Sequence, residues 1–180
     1  MSSIIEREGG AGLSPKWTIT PVGGTGRALA FVALLAPQKG LKVATLLDIQ
    51  AQDQQSVAGL YKRKLLQKKH VLTYAEFTQT AEADVEDMFT RDFYLSLVNA
   101  EYAAQLKRPL AVNDLNAHLP RVLRAIDEVL QREPLKQGQF GHFRPARYFS
   151  EHLEDLAPNI ASSTKERFAK AFEGLNALLG

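Results

Sequence analysis

The chain has 180 residues, 22 basic and 20 acidic, for a formal charge of +2 with His neutral, so it carries no global attraction to a polyanion. It has no Cys, which excludes disulfides and thiolate metal sites and is compatible with a reducing cytoplasm. No apolar stretch approaches the roughly 20 residues of a membrane span, residues 2–12 do not read as a basic-then-apolar leader, and no structural zinc is expected, because the four His lack ligand spacing.

In chain order, Ile4 to Glu8 reads as the tail of a helix that Gly9-Gly10 stops, as if an upstream element were missing. Trp17-Thr-Ile-Thr-Pro-Val22 alternates large apolar residues with Thr and predicts a strand. Gly23 to Arg27 then turns into a helix over 28–36, closed by Pro37 and Gly40. A strand, two glycines and a helix resemble a phosphate cradle. However, Leu29 stands where the dinucleotide pattern needs a third Gly, and Arg27-Ala28 replaces the Lys-Ser/Thr of a P-loop. A structural turn is the better reading, with nucleotide binding through Gly23 to Arg27 as the competing one.

The centre of the chain is Leu41 to Asp48. Val43 to Leu47 is a short apolar run, as expected of a strand in a parallel sheet covered on both faces. Asp48 falls at its carboxyl edge, where open α/β sheets place ligands, although an acid there also serves as an ordinary helix cap. A helix is predicted over 52–68, with Val57, Leu60, Lys64 and Leu65 inward, and a third strand over 70–74. Within that stretch, Tyr61-Lys-Arg-Lys-Leu-Leu-Gln-Lys-Lys69 is a local basic block. Strand, helix, strand, helix, strand makes a parallel sheet with right-handed crossovers.

Glu82, Asp84, Glu86 and Asp87 come next and are expected to open a long helix with Val85, Phe89, Phe93 and Leu97 inward. Acids in a first helical turn are favoured by the dipole, yet four in six residues repel one another unless a cation is near. Asp48 facing Asp84 or Glu86 would form a divalent metal site. The remainder reads as helices over 113–132, from the Phe140 region to 156, and from Ser162 to the end. Arg144 and Arg147 stand among aromatics, a pattern that suits nucleic-acid contacts and also core packing. The fold class is therefore α/β, with an α/β core over 1–106 and a helical extension over 107–180.

Three runs carry a family resemblance: Trp17 to Gly24, Val43-Ala-Thr-Leu-Leu-Asp-Ile-Gln-Ala-Gln-Asp53, and Glu82-Ala-Asp-Val-Glu-Asp-Met-Phe89. With Phe140 to Phe149 and Arg167 to Leu179, they resemble the Toprim nuclease half of OLD-family ATP-dependent endonucleases, in order and spacing, across nearly the whole chain. The resemblance implies a Toprim-like, mostly parallel sheet flanked by helices, and a DNA endonuclease of phage-defence type. It implies Mg²⁺ or Mn²⁺ held by carboxylates, the hard ligands such cations take, in a two-metal hydrolytic site. Asp48 matches the first acid of the family's Asp-x-Asp, Glu86 the helix acid with Asp84 close behind, and Lys165 the late catalytic Lys.

Two departures follow. Gln50 replaces the second Asp of the pair, with Asp53 as a substitute ligand one turn later. The family's first strand and its Glu, and the ABC-type ATPase half, are expected upstream of Met1. DNA contacts are expected from Lys62, Lys64, Lys68, Lys69, Arg144 and Arg147. Expected partners are DNA and an upstream ABC-type ATPase domain or chain, with a homo-oligomer possible and no membrane. The competing reading is an inactive Toprim-like module that binds DNA or a partner ATPase without cutting.

Overall fold

The computed structural model describes residues 1–180, which form two compact units, Met1–Met88 with Lys165–Gly180, and Phe89–Thr164. The chain is α/β, mostly helical, with one small parallel sheet. The division expected from sequence falls instead after residue 106.

In the first unit, β1 (Thr45–Leu47) and β2 (Val71–Thr73) are parallel, with Thr45 opposite Val71, Leu46 opposite Leu72 and Leu47 opposite Thr73. The crossover between them carries α3 (Gln54–Lys62). It packs on α2 (Thr25–Leu35), and the core joins Ala28 and Val32 of α2, Leu47, Val57 and Leu60, and Val71. Each fully buried aliphatic side chain of this kind stabilises by about 1.5–3 kcal/mol. The first helix, α1 (Ser2–Arg7), buries Ile4 and Ile5. Past Lys165, α9 (Ser162–Ala177) contributes buried Phe168 and Ala171 to this unit.

Three segments of this unit differ from expectation. Residues 17–22 form no strand: the sheet has two members, and the segment carries no regular structure. Pro21 lacks an N–H, which restricts such a segment to a sheet edge. The helix predicted over 52–68 splits into a 3-10 turn, Ala51–Asp53, and α3, which stops at Lys62. Lys64 takes a left-handed conformation with φ 57°, so it leaves the helix and is exposed rather than inward. The acidic cluster does not open a helix. Glu82 and Asp84 precede a 3-10 turn, Val85–Met88, that holds Glu86 and Asp87, and α5 (Arg91–Glu101) begins only after Thr90. Local side-chain caps in that turn compete with helix formation, as short acidic side chains do.

The second unit is helical: α5, α6 (Val122–Arg132), α7 (Phe143–Glu151) and α8 (Leu153–Leu156). The helix predicted over 113–132 is only its second half, and Val112–Asp114 is a separate 3-10 turn. Phe93, Leu97, Val98, Tyr102, Ile126 and Val129 are buried, and Phe89, Phe93 and Phe149 pack ring on ring at 5.5–6.0 Å.

Candidate acidic site at the end of the parallel pair

Asp48 directly follows β1 and Tyr74 directly follows β2, so the register Leu47–Thr73 sets them at the same, carboxyl end of the pair. Tyr74 opens α4 (Tyr74–Thr78). Glu76 holds that start by accepting from the Thr73 N–H at 3.0 Å and the Thr73 hydroxyl at 3.2 Å.

The acidic turn is stitched to this end by backbone and side chain together. Ile49 and Ala83 exchange two backbone hydrogen bonds, of 2.9 and 3.1 Å. The Val85 N–H donates to Asp48 Oδ1 at 3.1 Å, and the Ala51 N–H donates to Glu82 Oε1 at 2.9 Å. Within the turn, the Asp84 N–H donates to Asp87 Oδ2 at 2.8 Å. Asp48 therefore lies against the residue between Asp84 and Glu86, while Glu82 and Asp87 serve as caps. Asp84 and Glu86 are buried, 3% and 7% exposed, and Asp48 is exposed.

The electrostatics agree with that placement. Tyr74 is held far above the ordinary phenol range, chiefly by burial and then by the charges of Asp48 and Glu86. Both carboxylates thus act on the same phenol.

Of the other expected ligands, Asp53 is occupied elsewhere. Its Oδ1 accepts from the Thr25 hydroxyl at 2.8 Å and its Oδ2 from the Gln50 N–H at 3.3 Å, which ties the start of α2 to the end of β1. Lys165 forms an ion pair with Glu8. The cation that reaches the acidic turn is Arg167, whose Nη1 donates to the Met88 carbonyl at 3.2 Å and the Asp87 carbonyl at 3.4 Å. Sequence reasoning missed it. Its signal was available, since Arg167 lies two residues from Lys165, and positions two apart on a helix point to different faces.

Lys62, Lys64, Lys68 and Lys69 are all exposed. Arg144 and Arg147 are committed within their own unit. Arg144 Nε meets Glu101 Oε1 at 2.7 Å and its guanidinium lies 4.3 Å over the Tyr102 ring, while Arg147 Nη2 reaches Glu101 at 3.5 Å.

Comparison with known proteins adds no relative: no family model, curated protein or solved structure matches this chain. Whether the acids suit a metal is decided by the donor set. No group of three or more His, Asp or Glu side chains is arranged to hold a metal ion. Asp48 with Glu86 is a partial set at most, and a two-metal centre needs more carboxylates to offset the repulsion between its ions. The residues of this chain do not by themselves fit such a centre.

Proposed function

We propose that this chain is a Toprim-like nuclease module of the OLD type, and that it holds only part of an acidic catalytic site. Asp48 and Glu86 are its contribution, Tyr74 lies within the influence of both charges, Arg167 holds the Asp87 and Met88 carbonyls of the same turn, and the remaining donors come from polypeptide outside these 180 residues. The observation that carries the reading is the hydrogen bond from the Val85 N–H to Asp48, which brings the acid after β1 against the acidic turn from a separate part of the chain. DNA is the proposed substrate, met by the exposed lysines at 62–69.

A second reading has its own support: Asp53, Glu82 and Asp87 are all used as caps, which suits a binding module that never cuts. A plasmid-nicking assay separates the two. With Mg²⁺ or Mn²⁺, the chain alone should cut poorly or not at all. Joined to the ATPase-and-first-strand half of an OLD-family endonuclease, it should nick, and Asp48→Asn should abolish the nicking. Binding of DNA without nicking in the joined protein favours the binding module.

A further inference from the structure

Beside β1, within the first unit, lies a crevice of about 350 Å³. Pockets that take small molecules run from about 300 to 1,000 Å³, so this one is large enough. Phe31 and Leu35 of α2 and Phe168 and Phe172 of α9 help to line it. Leu41 to Leu47 line it as a continuous run, so it follows the chain into β1 and along that strand. The steps from Lys42 to Leu47 reach at most about 17 Å, room for an acyl chain of about ten carbons.

The two ends of the crevice differ in charge. Lys42 precedes the amino end of β1, whereas Tyr74 follows β2 and stands level with Asp48 at the carboxyl end. These two are the only ionisable residues of the lining. Lys42 is exposed, and its ammonium donates to the Leu179 carbonyl, a neutral acceptor. Neither a carboxylate side chain nor the carboxylate of Gly180 forms an ion pair with it. At the other end, the Tyr74 phenol feels the negative charges of Asp48 and Glu86. An anionic group is therefore favoured at Lys42 and disfavoured near Tyr74. Between the ends the lining is apolar apart from Thr20 and Thr45. Thr45 Oγ1 and Trp17 Nε1 are closed off from solvent, so neither offers a polar contact to a molecule in the crevice. Ile19 and Leu41 are 74% and 49% exposed, apolar surface that a bound tail takes out of water.

We infer that this crevice binds one single-chain anionic amphiphile, a medium-chain fatty carboxylate, with its head on the Lys42 ammonium and its tail beside β1 toward Leu47. A charge-assisted hydrogen bond fixes the head, and burial of the chain supplies the rest of the affinity. The inference is independent of the nuclease reading, because it needs neither a metal nor DNA.

The test uses Trp17, the single Trp of the chain and part of the lining, as the reporter. Decanoate is titrated into the full chain below its micelle range, and Trp17 emission is followed. The expected result is a saturable change with half-saturation on the order of 1 mM, as about a dozen non-hydrogen atoms give. Decanol should bind at least tenfold more weakly, and decyltrimethylammonium more weakly still. Lys42→Gln should weaken decanoate at least tenfold and leave decanol unchanged, while Lys42→Arg restores decanoate. Ala44→Phe, which fills the crevice, should remove both signals; should that variant fail to fold, the Lys42 pair still decides. No saturable change in the parent overturns the inference, and so does equal affinity for decanoate in the parent and Lys42→Gln. Sedimentation with phosphatidylglycerol vesicles that decanoate does not reverse also overturns it, since a membrane surface would then be the ligand. Decanoate binding in a protein that never nicks DNA supports this inference and removes the nuclease reading alone.

Discussion

The carboxylate of Asp48 accepts a hydrogen bond from the backbone N–H of Val85 at 3.1 Å, so the acid that ends β1 also holds the acidic turn in place. Asp48 thus has a structural duty beside any chemical one. Asp48→Ala should cost about 1 kcal/mol, the usual loss when a capping acceptor is removed. Asp48→Asn keeps an acceptor and should stay within a few tenths of a kcal/mol of the parent on the same scale. Chemical denaturation of both variants checks this. Equal losses would mean that the charge, and not the acceptor, fixes the turn.

Tyr74 should make the protein sensitive to alkali. Its phenol is held high by burial and by the negative charge of Asp48 and Glu86, so the folded state keeps the proton that the unfolded chain releases near pH 10. A raised pKa of this kind contributes stability that is fully present below the unfolded value and is lost as the pH rises beyond it. Stability should therefore fall as the pH is raised above about 10. Tyr74→Phe should flatten that fall, as followed by Tm against pH, and should remove a phenolate absorbance step delayed beyond the ordinary range. An unchanged pH profile in Tyr74→Phe would mean that the Tyr74 phenol is not held above its ordinary range.

Arg167 and Lys165 should separate sharply. Arg167 donates to two backbone carbonyls of the acidic turn, and Arg167→Met leaves these short of a donor at a cost of about 1–3 kcal/mol. Lys165 pairs with Glu8, whose side chain is 52% exposed, and a pair of that kind contributes less than about 1 kcal/mol. Urea midpoints of Arg167→Met and Lys165→Met rank the two. A larger loss at Lys165 would reverse the assignment of the cation that serves the turn.

For DNA, the two basic stretches should behave differently. Replacing Lys62, Lys68 and Lys69 by Gln should reduce the slope of log affinity against log salt by about 0.9 for each phosphate no longer neutralised. Arg144→Gln should leave that slope nearly unchanged and lower Tm, because Arg144 is bound to Glu101 and stacked on Tyr102. Fluorescence anisotropy on a short duplex at several salt concentrations checks both. An equal change of slope from Arg144→Gln would return it to the DNA surface.

These differences show what the sequence could carry. The β1–α3–β2 crossover was legible because a short apolar run, a helical stripe and a second apolar run are local patterns. The meeting of Asp48 with the acidic turn was legible too, since the end of a parallel strand is a fixed place in the fold. The state of residues 17–22 was not legible. Their alternation specifies a strand only if a neighbour pairs with it, and the chain supplies none. The acidic turn resembles a helix start because carboxylates favour helix N-termini and 3-10 caps alike, and only the tertiary bonds to Asp48 and Ile49 decide between them. Arg144 and Arg147 look free for phosphate in the sequence because Glu101 lies more than 40 residues away, and only folding brings it against them.

The most direct test of the acidic site is a Mn²⁺ titration of the 180-residue chain followed by electron paramagnetic resonance. The parent should show one weak site, with a dissociation constant on the order of 1 mM, as expected of two carboxylates rather than a full ligand set. Asp48→Asn and Glu86→Gln should each abolish it while circular dichroism stays that of the parent. Mn²⁺ bound equally by the parent and both variants, or not at all by the parent up to tens of millimolar, would contradict the proposal that Asp48 and Glu86 bind a metal.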